Sequence, residues 1–393
     1  MVDLGRKWAL AATSTAVGLL LAEFICRLII PAPMNVTIRV NALPHEPPAA
    51  VRLKWPSGRG GLYVDTPSGR RLQPNTTLLI ERHALSGMPV EIRTNALGYR
   101  NREVGQKKGR RVLFIGDSIT FADYLPEDET FVRQVETIAR GHGLDWETIN
   151  AGVGAISLKT ELAILLETGL AQQPDVVVLG WYLNDFLDSP GVDVHLVGAL
   201  ARHSRLAYGL GMLGGPKPTR GRANAPALPL KQWRDEWKRN DQPLLATDAA
   251  RESFYRDVER FFFDWGGAWS PHTWEVINPL LEELVRLSER HNFKLVWLAF
   301  PSRQQVEAGF DTSQPQQQLA HTAQRLEVPL LDLLPVLQDL QRKGEGPLFY
   351  DQCHHTPRAS RLLAETIFAW LQATSGPEIE SRILGGNVAR LIP

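Results

Sequence analysis

The chain has 393 residues, 44% hydrophobic and 22% charged, an ordinary globular composition with enough apolar material for a sizeable core. Lys plus Arg and Asp plus Glu both total 43, so the formal net charge is zero and no basic bias points to nucleic acid as a partner. With only two cysteines, Cys26 and Cys353, a disulfide framework is excluded and cysteine usage does not report the compartment.

The first element follows Arg6 and Lys7: WALAATSTAVGLLLAEFICRLII, residues 8–30, interrupted only by Glu23 and Arg27. As a helix rising ~1.5 Å per residue it spans roughly 34 Å, enough for a bilayer core. Glu23 and Arg27 are four apart, share a helix face and can pair. Basic residues ahead of the stretch favour a cytoplasmic N-terminus and an exported body. The rivals are a cleaved signal peptide and a buried helix of a cytosolic protein. No small-x-small cleavage site follows Trp8–Ala22 promptly, so residues 1–30 are expected to be a retained transmembrane anchor, with the catalytic part periplasmic or extracellular.

Pro31, Pro33, Pro44, Pro47 and Pro48 make residues 31–56 linker-like, and residues 61–100 alternate β-prone pieces with turn signals such as PSG. Residues 31–110 are therefore expected to form a linker and a small β-rich subdomain. From Arg111 the pattern changes. RVLFIG (111–116), WETIN (146–150), DVVVLG (175–180), FKLVWLAF (293–300) and VPLLDL (328–333) are short β-prone runs separated by helix-period segments. This alternation predicts a flavodoxin-like three-layer α/β/α sandwich with a five-stranded parallel sheet over residues 111–375. An insertion at about 186–273 separates the third and fourth strands, and residues 376–393 form a tail. The insertion and its edge carry Trp233, Trp237, Trp265, Trp269 and Trp274, expected mainly to pack the insertion onto the body.

In open parallel sheets the ligand crevice lies beyond the carboxyl ends of the strands. After the first strand comes GDSIT with Ser118; after the second, NAGVGAIS (150–157); after the third, GWYLND with Asn184; after the fifth, FYDQCHHTP (349–357). Every chemistry-bearing cluster falls on one edge. A serine hydroxyl needs a base to take its proton, and histidine is the side chain whose pKa lies near the operating pH. Asp351 stands three residues before His354, in reach to hold its imidazole in one tautomer. The oxyanion of an acyl-transfer intermediate needs donors. Candidates are the backbone N–H of Ser118, one in the GVGA turn, and the side-chain amide of Asn184. The same Asp351, Cys353, His354 and His355 could in principle ligate a metal, but neighbours in one loop rarely aim at a single ion and no second ligand cluster supports them. A histidine capping the helix that begins near Pro357 is the plain structural reading.

GDSIT, the glycine turn after the second strand, GWYLND and DQCH, in this order, resemble the four blocks of the SGNH (GDSL) hydrolase superfamily over about residues 111–372. The apolar N-terminus and IRTNALGYRN (92–101) resemble its bacterial membrane-anchored members. The resemblance implies Ser118 as nucleophile, Asp351 with His354 as the base pair, and Asn184 as an oxyanion donor, with no metal or organic cofactor. It departs at two positions. Gly154 and Ala155 compete for the second backbone donor, Gly154 being preferred because alanine resists a positive φ, and Ala122 stands where many relatives have glycine. The implied activity is hydrolysis of an O-acyl or O-acetyl ester on a glycan or lipid. An O-acyltransferase modifying an envelope glycan or exopolysaccharide, and an inactive glycan-binding protein, are the alternatives. His355 is expected to flank the site or contact substrate.

Overall fold

The computed structural model of the chain describes residues 2–29, 36–40, 62–83, 85–186, 204, 206, 266–269, 271–308 and 310–374. Most of the tryptophan-bearing insertion, with Trp233, Trp237 and Trp265, and the tail 376–393 lie outside the described residues.

Helix α1 (Val2–Ile29) contains a span, Arg6–Ile29, long and apolar enough to cross a bilayer. None of that span's most apolar window is buried, and Trp8, Val17, Leu20, Phe24 and Leu28 are exposed. Arg27 Nε donates to Glu23 Oε1 at 2.7 Å, the i, i+4 pair expected on one helix face. Glu23 Oε2 also accepts from Ser204 Oγ at 2.7 Å and the Leu206 N–H at 2.9 Å.

The upstream region is β-rich. Strand β1 (Val36–Val40) lies inside the stretch expected to be linker, where the β-branched run VTIRV overrides the surrounding prolines. It pairs antiparallel with β4 (Thr76–Ile80), which pairs in turn with β5 (Val90–Arg93). β2 (Tyr63–Thr66) and β3 (Gly69–Leu72) form a hairpin turning at the predicted PSG. Leu62, Leu72, Leu78, Ile80, Val90 and Ile92 join the same continuous apolar core as the main sheet, so this region is packed into the body.

The main sheet contains β6 (Arg110–Gly116), β7 (Trp146–Asn150), β8 (Val176–Trp181), β9 (Lys294–Ala299) and β10 (Leu330–Asp332). All neighbours are parallel, in the order β10-β9-β8-β6-β7. This is the flavodoxin-like order, with its reversal of direction between β6 and β8. Every residue of β8 and all but the first of β6 and β9 are buried, as a sheet covered on both faces requires. The covering helices are α3 (Phe131–Gly141), α4 (Leu158–Ile164, continued by a π-turn over Leu165–Gly169), α5 (Pro271–His291), α7 (Gln314–Arg325) and α9 (Pro357–Thr374). Short helices α2 (Ser118–Phe121), α6 (Arg303–Glu307) and α8 (Leu334–Arg342) follow strands at the carboxyl edge. α3 packs on α9, and α4 on α5. At the insertion's edge, Trp274 is buried against Trp181 with ring centroids 5.6 Å apart, and Trp269 Nε1 donates to Gln314 Oε1 at 3.2 Å. Both tryptophans pack onto the body, as expected.

Candidate active site

The sheet reverses between β6 and β8, and their last glycines, Gly116 and Gly180, are register partners. A Cβ at Gly180 would stand 2.6 Å from Thr120 Oγ1, and one at Gly152 would stand 2.5 Å from the Phe121 nitrogen. The glycines therefore serve close approach: they let α2 settle directly on the strand ends. Asp117 caps α2, its Oδ1 accepting the Ile119 N–H at 2.9 Å. Ser118 is left at the first helical position, partly exposed.

The C-terminal loop brings His354 to that serine. His354 Nε2 lies 3.0 Å from Ser118 Oγ, and His354 Nδ1 lies 2.7 Å from Asp351 Oδ2. Asp351 Oδ1 also accepts the N–H of Cys353 at 2.9 Å and of His354 at 2.8 Å. One carboxylate oxygen thus fixes the loop backbone while the other orients the ring. A carboxylate only accepts, so Nδ1 carries the proton and Nε2 is free to take one from the serine. Burial disfavours the Asp351 charge, but its hydrogen bond to His354 outweighs this and holds the carboxyl below the usual range. Burial also pulls the His354 imidazole down. A Cys353 thiolate would reverse that, but with the thiol neutral it is the hydrogen-bonded Asp351 carboxylate that raises the ring above an ordinary histidine. Burial pushes the Cys353 thiol up to about 12, so it is neutral at physiological pH, and Asp351 supplies the negative charge there.

Ligand atoms of Asp351, Cys353 and His354 converge within 4.8 Å, more closely than loop neighbours were expected to. They do not fit a cation well. Nδ1 is engaged by Asp351, and a protonated thiol is a poor ligand. The helix-cap reading belongs to another residue: Thr356 Oγ1 accepts the Ala359 N–H at 3.3 Å at the start of α9.

His355 differs from its neighbour. It is 2% exposed, packed against Phe349 (4.9 Å between ring centroids) and Phe300 (5.8 Å), so the expectation that it contacts substrate is corrected. Its backbone bridges to Phe349 and closes the loop that carries His354. Burial, then the nearby His354, lower its pKa to about 3. Its N–H donates to Tyr124 Oη at 3.3 Å, and the Tyr124 ring lies 4.8 Å from that of His354.

The remaining sequence-predicted residues lie on the same edge. Asn184 is buried in the turn after β8. Asp185 closes that turn: its Oδ2 accepts the Tyr182 N–H at 3.0 Å, and its backbone carbonyl accepts the Leu158 N–H at 2.8 Å. It thus holds the turn before it. Burial and the adjacent Asp117 raise its carboxyl well above the ordinary range. In the turn after β7, Gly152 and Val153 amides are taken by Asn150 Oδ1 (3.0 Å) and the Gly116 carbonyl (3.1 Å). Among the described residues no protein acceptor takes the amides of Gly154, Ala155 or Ser118. The left-handed residue of this turn is Ala155, at φ +59°, not Gly154; Ala122 is likewise left-handed at φ +50°. Alanine carries both strained positions that glycine commonly fills.

Residues from upstream also reach this edge, and the sequence had not marked them as site residues. A Cβ on Gly154 would meet Tyr63 Oη at 2.6 Å. Met88 Sδ accepts from Tyr350 Oη at 3.8 Å, beside the loop that carries His354. Burial lowers the pKa of His83; Asp123 opposes this, and the charges of His354 and Arg100 add to it, so His83 lies within electrostatic reach of the site. Only the NALGYR run, with its turn-forming Asn and Gly, marked this region in the sequence as shaped for a purpose.

No protein-family model and no curated protein sequence matches the chain. Among solved structures it is similar to the acetyl xylan esterase AlAXEase, at 14% identity and a TM-score of 0.38, covering 66% of this chain and 99% of that one. Axe2, an acetylxylan esterase from Geobacillus stearothermophilus, aligns at 14% identity and 0.38 over 70% and 97% of the two chains. A member of the lipolytic protein G-D-S-L family from Veillonella parvula aligns at 12% identity and 0.38 over 68% and 100%.

Proposed function

We propose that the chain is a serine esterase-type hydrolase of the SGNH (GDSL) kind, cleaving an O-acyl or O-acetyl ester on a glycan or lipid through an acyl-Ser118 intermediate. The observation that carries this reading is His354, whose two ring nitrogens stand 3.0 Å from Ser118 Oγ and 2.7 Å from Asp351 Oδ2. Ser118 Oγ attacks the ester carbonyl carbon while His354 Nε2 takes its proton. The amide of Ser118, one of Gly154 or Ala155, and the Asn184 side chain stabilise the oxyanion. The C–O bond to the alcohol breaks, and that alcohol leaves with the proton from His354. Water then attacks the acyl carbon, gives a proton to His354, and the carboxylic acid departs as Ser118 Oγ is reprotonated. Asp351 stays ionised throughout and stabilises the transient imidazolium.

On this reading residues 1–30 are a single-pass anchor with a cytoplasmic N-terminus, 31–110 a β-rich segment and 111–375 the hydrolase domain, held outside the cytoplasm. The full chain in detergent, treated with a fluorophosphonate probe and mapped by peptide mass analysis, tests the chemistry. Labelling at Ser118 that is lost in His354→Ala is expected. A folded wild-type chain that takes no label would overturn it. Release of free acetate from acetylated glycans, against fatty acid from lipid esters, then separates the substrate classes.

A further inference from the structure

The IRTNALGYRN run builds a device of its own. Asn95 Oδ1 accepts the N–H groups of Leu97 and Tyr99, each at 3.0 Å, and Asn95 Nδ2 donates to the Arg102 carbonyl at 3.1 Å. Gly98 takes φ +74°, and a Cβ there would meet the Leu72 carbonyl oxygen at 2.5 Å. Tyr99 Oη and Thr168 Oγ1 share a hydrogen bond at 2.5 Å. The loop is thus closed on itself, packed closely on the Leu72 backbone and tied to the body through Tyr99, and it delivers Arg100.

Arg100 is wholly buried, yet no carboxylate accepts from it among the described residues. Its two Nη groups donate to backbone carbonyls at the end of α2 and in the turn that follows it, while Nε is buried with no hydrogen-bond partner among the described residues. Nη1 donates to Phe121 O at 3.0 Å and to Ala122 O, and Nη2 donates to Leu125 O at 2.6 Å. The guanidinium also lies 5.8 Å from the Phe121 ring centroid. That turn begins at Ala122, whose left-handed backbone ends α2 while its N–H donates to the Ser118 carbonyl at 2.8 Å. It continues to Tyr124, whose ring abuts His354 and whose hydroxyl takes the His355 N–H. Ala122, Tyr124 and Leu125 form a small apolar cluster of their own, covered by Leu85, Met88 and Tyr350. The planar fork of a guanidinium, with five donors spread over a rigid frame, spans divergent carbonyls that the point charge of a lysine ammonium reaches less well.

We propose that Arg100 is a positioning residue for catalysis: by gathering the Phe121, Ala122 and Leu125 carbonyls it sets the post-serine turn, and through that turn the mutual placement of Ser118 and His354. It does not touch substrate. A residue that pre-organises reacting groups should be felt in turnover and not in binding, because errors of the order of 1 Å cost about 100-fold in rate. The proposal rests on the serine-hydrolase reading.

The full chain in detergent is assayed with a chromogenic acetate ester, alongside fluorophosphonate labelling and thermal melting, as wild type, Arg100→Lys and Arg100→Ala. Expected is a folded Arg100→Lys chain whose kcat and labelling rate fall about 10- to 100-fold at unchanged KM. Partial recovery of Arg100→Ala by added guanidinium is expected too. If wild type neither labels nor turns over, the serine reading itself fails and the proposal falls with it. If wild type is active and folded Arg100→Lys matches it, or changes KM alone, the proposal is overturned while the reading stands. Loss of the fold in Arg100→Lys as well as in Arg100→Ala would assign Arg100 to folding and also overturn it.

Discussion

Two loops converge on the turn that carries Ser118, and they hold it by opposite means. Loop 349–357 reaches it with side chains that remain partly open, His354 at 19% and Asp351 at 25% side-chain exposure. Loop 94–101 reaches it with a guanidinium that is wholly buried and bonds only backbone carbonyls. On the proposed reading, the difference follows from what each must do. A base has to meet a substrate and exchange a proton, so it stands at the edge of solvent. A clamp must not be exchanged for water, so it is worth most where water cannot replace it and where an unpaired carbonyl would be costly.

The comparison breaks most visibly on the chemical side. Ser118→Ala or His354→Ala should cost roughly 10⁴-fold or more in ester turnover while leaving the melting temperature near that of wild type, since neither deletion opens the core. Steady-state kinetics beside thermal melts checks this; residual activity within tenfold of wild type would remove the acyl-Ser118 cycle. Asp351→Asn should cost about 10² to 10⁴, because an amide can hold the wrong tautomer. It also tests the pH dependence. His354 must be neutral to accept a proton, so kcat/KM should rise with pH through a midpoint above the ordinary histidine value of 6.5, and Asp351→Asn should move that midpoint down.

A smaller effect is expected beneath Ser118. In Gly180→Ala the new Cβ would stand 2.6 Å from Thr120 Oγ1, forcing α2 off the strand ends. A loss of about 1–3 kcal/mol in stability should accompany a fall in kcat, read by denaturant unfolding and kinetics. The smallest effect contrasts the adjacent histidines. His355 is held neutral in the fold with a pKa of about 3, against 6.5 for a free imidazole. The folded state therefore binds fewer protons than the unfolded one between those values, and stability falls as pH drops from 6.5 toward 3. His355→Phe should flatten that slope in melts taken across the range, and should leave turnover at neutral pH close to wild type. A slope unchanged by the substitution would mean that His355 does not titrate on unfolding.

Much of this architecture was legible. The five β-prone runs became the five strands β6 to β10 with boundaries shifted by no more than a few residues, because alternation with amphipathic helices leaves a short-range signature. The pairing of Asp351 with His354 was legible for the same reason, a three-residue reach within one loop. Three things were not. Ala155 carries the left-handed turn that was expected to avoid alanine, since strain at one residue is decided by the packing around it. His355 has the same type as His354 and sits beside it, but is turned into an aromatic pocket built by Phe300 from a distant strand end and Phe349 from its own loop. The partners of Arg100 are carbonyls, which every residue possesses, so no side-chain pattern could announce them.

The amino-acid sequence by itself determined the order of strands and helices in the main sheet, the apolar N-terminal helix, and the placement of Ser118, Asn184, and Asp351 with His354 after the first, third and fifth strands of that sheet, because these rest on periodicity and local spacing. Only the tertiary structure decided that His354 closes on Ser118 across 236 residues, and that Arg100 gathers the turn behind that serine. Such contacts depend on where the backbone of one element points when another packs against it, and packing is a property of the whole fold.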